Sequence, residues 1–220
     1  MIAEIIIRYV AVVAVAYLLG GIPFALIIGL RFYDIDVRKH GSGNLGATNV
    51  FRALGAKAAS ATLLFDLLKG SAAVGFAYLV FAGQTDLLRE WAMIAATIAA
   101  VAGHSYSPYI RFSGGKGVAT AAGALLVLTP APWPILLGTF IIVVLLTRIV
   151  SLGSVIIAVE YPLLCLLFYP GDWPIIGFSF GIAALVIWRH RTNIVRIVRS
   201  EESRISFRGR GTAARGKDAS

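Results

Sequence analysis

Three polar, glycine-rich segments interrupt an otherwise apolar chain, and their residue types suit the binding of phosphate. They read Gly-Ser-Gly-Asn-Leu-Gly-Ala-Thr-Asn at 41–49 with Arg52 after it, Gly-His-Ser at 103–105 followed by Phe-Ser-Gly-Gly-Lys-Gly-Val-Ala-Thr at 112–120, and His-Arg-Thr-Asn-Ile-Val-Arg at 190–196. An unpaired polar group in hydrocarbon costs several kcal/mol, so membrane proteins carry few of them. If the three segments lie on one side of a membrane, they form a site.

The first segment predicts an anion-binding loop. Its glycines admit backbone conformations closed to other residues, so successive main-chain N–H groups can converge on an anion. The candidate phosphate-binding residues are Ser42, Gly43, Asn44, Gly46, Thr48 and Asn49. Arg52 adds a guanidinium that matches phosphate, and it is also a candidate catalytic residue. The alternative is a turn whose glycines serve only packing.

The second segment places a lysine directly before an apolar run. Lys116 and the amides around it would lie at a helix amino terminus, which favours an anion. The candidates are Gly114, Gly115, Lys116 and Gly117. The segment is not a P-loop, because Gly117 follows the lysine where serine or threonine is required. A lysine in a turn at the membrane surface has the same appearance, and for His104 we expect a structural hydrogen bond.

The third segment predicts one polar side of a helix. His190, Asn193 and Arg196 recur at every third residue, so they lie roughly along one face. Imidazole, amide and guanidinium groups there suit a phosphate or a hydroxyl. A basic cap at the membrane surface is the alternative, and it explains Asn193 less well. The three histidines of the chain stand in different segments without ligand spacing, so we expect no metal site.

The composition predicts an all-α integral membrane protein. The 220 residues are 58% hydrophobic, and mean hydropathy is +0.83. The net charge of +9 comes from cations between apolar runs and in the tail, which is typical of membrane topology and not of nucleic-acid binding. Seven helices are predicted to span the membrane, at about 4–29, 56–82, 91–110, 117–130, 133–148, 152–169 and 173–189. We expect one transmembrane domain over residues 1–199 and a basic, disordered tail over residues 200–220.

Cations orient the predicted bundle with its amino terminus outside and its carboxyl terminus in the cytoplasm. Only Arg8 and Arg89 then lie outside, whereas the other arginines and lysines of the loops and tail lie inside. This orientation places all three polar segments on the cytoplasmic face. Alanine and glycine in the spans predict close helix packing. Inside the spans, Asp66 and Lys69 are predicted to pair structurally, Glu160 has no assigned role, and the lone Cys165 excludes an intrachain disulfide.

The three segments together resemble the signatures of the bacterial acyl-phosphate:glycerol-3-phosphate acyltransferases, a family of integral membrane enzymes. The resemblance covers residues 41–52, 103–120 and 190–196, and Phe-Asp-Leu-Leu-Lys-Gly at 65–70 is also similar to the family. One departure follows the third segment, where Ser200, Glu201 and Glu202 stand in place of the family's frequent glycine before an acid. The resemblance implies an enzyme of the bacterial inner membrane whose site faces the cytoplasm.

The implied reaction moves a fatty acyl group from acyl phosphate to the 1-hydroxyl of glycerol 3-phosphate. It yields lysophosphatidic acid and inorganic phosphate as the first step of phospholipid synthesis. The donor is already activated, so no cofactor is expected, and no nucleic acid or obligate protein partner is implied. The candidate catalytic residues are His190, Asn193, Lys116 and Arg52, and Arg196 joins the phosphate-binding set.

Two questions remain open at this level. The proton of the glycerol hydroxyl could pass to His190, whose side chain titrates near neutrality, or to an oxygen of a substrate phosphate. A small transporter or flippase for an anionic solute is the alternative function, because polar loops and the intramembrane Asp66 and Lys69 would suit it as well.

Overall fold

Apolar runs separated by short polar turns fold as helices in the computed structural model, which describes residues 2–205. The helices are α1 (Ile2–Gly21), α2 (Phe24–Tyr33), α3 (Ala47–Leu54), α4 (Ala56–Val80), α5 (Asp86–Ser105), α6 (Val118–Leu128), α7 (Trp133–Thr147), α8 (Val150–Phe168), α9 (Trp173–Arg189) and α10 (Arg191–Val198). Two short 3₁₀ turns lie at Val37–Lys39 and Pro108–Ile110. Over this range the β-structure is a single bridge between Ser107 and Ser113, so the all-α prediction is confirmed for the described residues.

The predicted first span is divided in two. Helix α1 ends at Gly21 and α2 begins at Phe24. Pro23 lies between them, and proline cannot continue the hydrogen-bond ladder of a helix. The last polar segment is also broken, because α9 ends at Arg189 and α10 leaves it at an angle of 61°. His190 therefore lies in the bend as the N-cap of α10, and the third segment starts a separate short helix instead of extending α9.

Among residues 2–205, three stretches are long and apolar enough to cross a membrane: Ile2–Tyr33, Ala56–Val80 and Val150–Phe168. The bent pair α9 and α10 makes a fourth if it counts as one span. Helices α6 and α7 are apolar but shorter, with 11 and 15 residues. Length and composition thus support an integral membrane protein with three or four evident spans, and the count of seven stays a prediction.

Glycines bring the central helices into backbone contact. A Cβ atom on Gly20 of α1 would lie 2.1 Å from the carbonyl oxygen of Ala100 on α5. One on Gly123 of α6 would lie 1.9 Å from the carbonyl oxygen of Leu67 on α4. Any larger residue would force these helices apart, so the close packing expected from small residues is present at both contacts. These contacts join α1 to α5 and α4 to α6, and the second polar segment connects α5 to α6.

A smaller apolar core lies beneath the first polar segment. It joins α2, α3 and the start of α4, and its buried residues are Ala25, Leu26, Ile28, Val37, Leu45, Val50, Ala58 and Ala59. Leu45 and Val50 belong to the segment itself or follow it directly, so burial of their side chains anchors a loop that is otherwise polar.

The buried charges stabilise breaks and contacts between helices. Lys69 lies 2.8 Å from Asp66, and its Nζ also donates to the carbonyl oxygen of Ile22 at 2.9 Å, where α1 has ended. The expected pair is therefore present, and it contacts a carbonyl oxygen at the helix break that also accepts from the amide of Phe24 at 3.1 Å. Glu160 accepts a hydrogen bond from Thr139 at 3.0 Å, which links α8 to α7.

Candidate active site

The first polar loop is held in shape by its own asparagines. Gly41 and Gly43 adopt φ values of 57° and 68°, which favour glycine. Oδ1 of the buried Asn49 accepts from the amide of Ser42 at 2.8 Å, and its Nδ2 donates to the carbonyl oxygen of Val37 at 3.0 Å. Both polar atoms of the Asn49 side chain therefore hold the loop in shape, a role that was not predicted for this phosphate-binding candidate.

Asn44 has a similar local role in the first loop. Its Oδ1 accepts from the amide of Gly46 at 2.9 Å, immediately before α3 begins at Ala47. The segment that was predicted to be an anion-binding loop thus ends in the helix α3. The first amides of α3 have no acceptor within that helix. Thr48 and Arg52 lie on this helix and line the same cavity.

The second polar loop lies on the end of α5. The amide of Gly115 donates to the carbonyl oxygen of His104 at 3.1 Å, and the carbonyl oxygen of Gly115 accepts from Arg189 at 2.6 Å. Gly117 has a φ of 80° and precedes α6. This left-handed residue turns the chain so that Lys116 lies just before the amino terminus of α6, as predicted.

Lys116 and the third polar segment are in direct contact. Nζ of Lys116 donates to Oδ1 of Asn193, which is buried on α10. His190 is 2% exposed, and its Nδ1 lies 2.8 Å from the carbonyl oxygen of Val186. Because a carbonyl oxygen only accepts, Nδ1 carries the proton in the neutral ring, and Nε2 keeps a free lone pair.

The site is strongly cationic, and this shifts the ionisation of its members. Burial lowers the pKa of Lys116 to about 8; the nearby Glu202 opposes this shift, whereas Arg196, Arg189 and Arg52 add to it. Burial and the charge of Lys116 lower the pKa of His190, which lies beyond the end of α9, to about 4. Near neutral pH, Lys116 is therefore mostly charged and His190 is neutral.

The three segments meet at one cavity of about 650 Å³. Eleven of the candidate residues line it: Ser42, Asn44, Gly46, Thr48, Asn49, Arg52, Lys116, Gly117, His190, Asn193 and Arg196. Gly43, Gly114 and Gly115 do not line it. Gly114 and Gly115 instead pack against His104, where a Cβ atom on either would come within 2.1 Å of it.

The remainder of the cavity wall is largely apolar. It runs between α4, α6, α7, α8 and α9, and its larger side chains are Leu63, Leu67, Leu125, Trp133, Leu136, Leu137, Phe140, Ile157, Tyr161, Ile182 and Val186. A cationic end and an apolar end thus belong to one continuous space, which suits a molecule with an anionic head and a hydrocarbon chain.

Several polar lining residues were not among the sequence-based candidates: Asp66, His104, Ser151, Ser154, Thr192, Glu202 and Ser203. Asp66 and His104 had been assigned structural roles, and they are also buried at the cavity wall. An available signal was the acid Glu202, which stands among cations directly after the third segment. Ser151 had no comparable signal, because it comes to the site only through the packing of α8.

The segment from residue 200 begins as part of the site. Glu202 accepts hydrogen bonds from Ser151 and Arg196, and the carbonyl oxygen of Ser203 accepts from Arg52 at 3.3 Å. These residues were predicted to begin a disordered tail. Residues 200–205 are described and contact the site, and residues 206–220 lie outside the described range.

The fold and the site define an integral membrane protein with a cavity that is cationic at one end and apolar at the other. The sequence model of the glycerol-3-phosphate acyltransferase family matches residues 10–200. A glycerol-3-phosphate acyltransferase of Geobacillus kaustophilus is 39% identical over 199 residues, which cover 90% of this chain and 97% of the relative. Another, from Bacillus cytotoxicus, is 43% identical and covers 88% and 93%. The chain belongs to the glycerol-3-phosphate acyltransferase family.

Two solved structures share the fold. The crystal structure of PlsY, an integral membrane glycerol 3-phosphate acyltransferase, in its glycerol 3-phosphate form matches with a TM-score of 0.80 and 35% identity, over 90% of this chain and 96% of that one. Its lysophosphatidic acid form matches with a TM-score of 0.78 and 34% identity, over 90% and 95%. The sequence-based assignment to this family is confirmed.

Changing Gly115 to alanine is expected to destabilise the protein. The added Cβ would lie 2.1 Å from Nε2 of the buried His104, so the loop or the ring must move. Such overpacking costs about 1–3 kcal/mol, which corresponds to a fall in Tm of roughly 2–10 °C. Gly75→Ala in α4 is the matched control, because a Cβ there meets nothing within 4 Å. Equal unfolding midpoints for the two variants in detergent would contradict the proposed close contact.

Proposed function

We propose that this chain transfers a fatty acyl group from acyl phosphate to the 1-hydroxyl of glycerol 3-phosphate. The observation that carries this proposal is one cavity with a cationic end, where Arg52, Lys116 and Arg196 meet, and an apolar end between helices. Both proposed substrates carry phosphate, and the donor and the product carry an acyl chain. PlsY, which shares the fold, has been solved with glycerol 3-phosphate and with lysophosphatidic acid.

The phosphates are proposed to bind where the three polar segments meet. Lys116 supplies a charge beside the amino terminus of α6, and Arg52 and Arg196 supply guanidinium groups from α3 and α10. Charge-assisted hydrogen bonds of this kind are about twice as strong as neutral ones. The residues of the first loop would add hydroxyl and main-chain donors. No metal or organic cofactor is part of the proposal.

The proposed chemical step is a direct acyl transfer. The 1-hydroxyl oxygen forms a bond to the carbonyl carbon of the donor, and the bond from that carbon to the phosphate oxygen breaks. Phosphate leaves with the electron pair, and the hydroxyl proton passes to a base. Cations around the leaving phosphate lower the barrier by stabilising the charge that develops there, and binding both substrates together removes the entropic cost of their encounter.

Two groups can accept the proton. Nε2 of His190 has a free lone pair in the tautomer that the contact with Val186 requires. An oxygen of a substrate phosphate is the other acceptor, and in that case His190 and Asn193 orient the hydroxyl. The low pKa of His190 keeps the ring neutral but also makes it a weak base, so both routes stay in the proposal.

The proposed membrane arrangement has seven spans with the amino terminus outside and the carboxyl terminus in the cytoplasm. Residues 1–199 would form the transmembrane domain, and residues 200–220 would form a basic cytoplasmic segment that starts at the site. The positive-inside rule supports this arrangement. It places the cavity mouth at the cytoplasmic face of the bacterial inner membrane, where a phosphorylated, water-soluble substrate can enter.

Cysteine labelling tests this arrangement. In a Cys165→Ala background, cysteines at the exposed Ser42 and Ser113 should resist an impermeant thiol reagent in intact spheroplasts and react after lysis. Asp86→Cys is the control, because that exposed residue starts α5 on the side predicted to be outside. It should react in both cases. Labelling of position 42 or 113 from outside would overturn the proposed orientation.

Product analysis tests the reaction. Purified protein in detergent, given palmitoyl phosphate and glycerol 3-phosphate, should form 1-palmitoyl-glycerol 3-phosphate, identified by mass spectrometry. Glycerol without phosphate should be a poor acceptor, because it lacks the group that the cations would hold. Equal use of both acceptors would contradict the proposed phosphate site.

A further inference from the structure

The carboxylate of Glu202 is the centre of a hydrogen-bond network within the candidate site. Its Oε1 accepts from Nδ2 of Asn193 at 2.7 Å and from Oγ of Ser151 at 2.9 Å, and its Oε2 accepts from Nε of Arg196 at 2.7 Å. The Glu202 side chain is only 6% exposed. A buried carboxylate with three donors has a fixed position.

The network sets the orientation of the Asn193 amide. An asparagine amide can bind with either end, but here its Nδ2 faces a carboxylate that only accepts. Oδ1 must then face the other way, where Lys116 donates to it. Glu202 therefore acts on Lys116 through Asn193, and it holds Arg196 with its second oxygen.

The chain on either side of Glu202 holds the carboxylate in place. The amide of Glu201 donates to the carbonyl oxygen of Arg196 at 2.8 Å, and the amide of Ile205 donates to that of Arg148 at 2.8 Å. Arg52 contacts the carbonyl oxygen of Ser203. Residues 201–205 thus cross the cationic end of the cavity and are tied to α3, α10 and the turn before α8.

We propose that Glu202 is a positioning residue that holds Asn193 and Arg196 in place and offsets the positive charge around Lys116. This inference rests on the proposed acyltransferase function of the same site, and it extends that function to a residue that does not itself touch the reacting atoms. Without Glu202, the cations that line this end of the cavity, Arg52, Lys116 and Arg196, would have no carboxylate between them.

The charges around Lys116 make the electrostatic part of this proposal testable. The cations near it are Arg52, Arg189 and Arg196, the neutral His190 lies beside it, and Asp66 and His104 line the deeper wall. Burial lowers the pKa of Lys116, the charge of Glu202 opposes this shift, and the three arginines add to it, so that the pKa is about 8 with Glu202 present. Removing the carboxylate must therefore move that pKa further down.

Glu202→Gln is the test variant, since glutamine keeps the shape and loses the charge. At pH 7 we expect kcat/KM to fall about tenfold to a hundredfold, because the charge-assisted contacts are lost. If Lys116 sets the alkaline limb of the pH–rate profile, this limb lies near pH 8 in the unchanged protein. In Glu202→Gln it should move to a pH about one unit lower. Part of the lost activity should therefore return as the pH is lowered from 8 to 6.

Glu201→Gln is the matched control, because it removes the same charge at the neighbouring exposed position. It should leave the limb and the rate unchanged. Glu202→Asp keeps the charge on a shorter side chain, and we expect its limb to stay near that of the unchanged protein even if its rate falls. An unfolding midpoint in detergent shows whether each variant is folded.

A second measurement does not depend on activity. The rate at which acetic anhydride modifies Lys116, followed by peptide mass spectrometry across pH, reports the pKa of this amine directly. An acid shift in Glu202→Gln, but not in Glu201→Gln, supports the proposal. If the pKa of Lys116 is unchanged in folded Glu202→Gln, the proposal is overturned. Tighter binding of inorganic phosphate by this variant would also overturn it, because the carboxylate would then compete with the substrate. Absence of acyl transfer by the unchanged protein would refute the proposed function and leave this titration as the decisive test.

Discussion

Replacing Lys116 with alanine is expected to lower kcat/KM for glycerol 3-phosphate by about tenfold to a few hundredfold. The change removes a charge-assisted contact worth roughly 1.5–3 kcal/mol and leaves Oδ1 of the buried Asn193 without its donor. Arg52→Ala should have an effect in the same direction but toward the lower end of that range. Arg52 is exposed, and one of its nitrogens already donates to Ser203.

Lys57→Ala is the control for a general loss of positive charge. Lys57 is exposed at the start of α4, on the side of the bundle that is predicted to face the cytoplasm. It does not line the cavity, so its removal should leave steady-state kinetics unchanged. Unaltered kinetics in a folded Lys116→Ala variant would refute the assignment of Lys116 to the phosphate site.

His190→Gln has the largest expected effect if His190 is the base. Turnover should then fall by about a hundredfold to ten-thousandfold, because general base catalysis contributes that much, while the affinity for glycerol 3-phosphate stays largely the same. Glutamine has no group that accepts a proton near neutral pH, although its amide can still form hydrogen bonds. Single-turnover kinetics are the appropriate measurement, since they separate the chemical step from product release.

The pH dependence separates the two proton acceptors. A free histidine would give an acid limb near pH 6.5, but the lowered pKa of His190 moves its expected limb to about 4. Activity that needs the neutral ring is present above that pH and is lost as the pH falls through it. A substrate phosphate titrates near pH 6 and would give a limb there.

His40→Gln is the matched control, because His40 is exposed and outside the cavity. If His190→Gln keeps most of its turnover and its limb near pH 6, the histidine-base route is excluded and the acyltransferase assignment is unaffected. An acid limb near pH 4 that disappears in His190→Gln but not in His40→Gln would support His190 as the proton acceptor.

The meeting of the three polar segments could be predicted from the sequence, because polar side chains and glycine-rich loops are rare in a chain that is otherwise apolar. Glycines before Lys116 indicated a turn at a helix start, and Gly117 adopts the left-handed conformation that only glycine accepts easily. Cations between apolar runs grouped the segments on one face. Both inferences depend only on the positions of glycines and cations along the chain, which are present in the sequence itself.

Other features could not be predicted, for equally physical reasons. Nothing in the sequence showed that α9 ends at Arg189 and that a bend separates it from α10, which carries Asn193 and Arg196. The hydrogen bonds by which Asn49 and Asn44 accept from amides of their own loop were not predicted either, because they depend on the loop conformation. Glu202 and Ser151 come together only in the folded protein, 51 residues apart, so no local pattern joins them.

The release of phosphate from acyl phosphate by purified protein in detergent tests the central claim most directly. Detergent removes the membrane barrier, so transport cannot be measured there, and a transporter or flippase would not cleave the acyl phosphate. We predict that phosphate release depends on glycerol 3-phosphate and that one molecule of lysophosphatidic acid forms for each phosphate released. Release that ignores glycerol 3-phosphate, or no release by a folded protein that still binds it, would contradict the account.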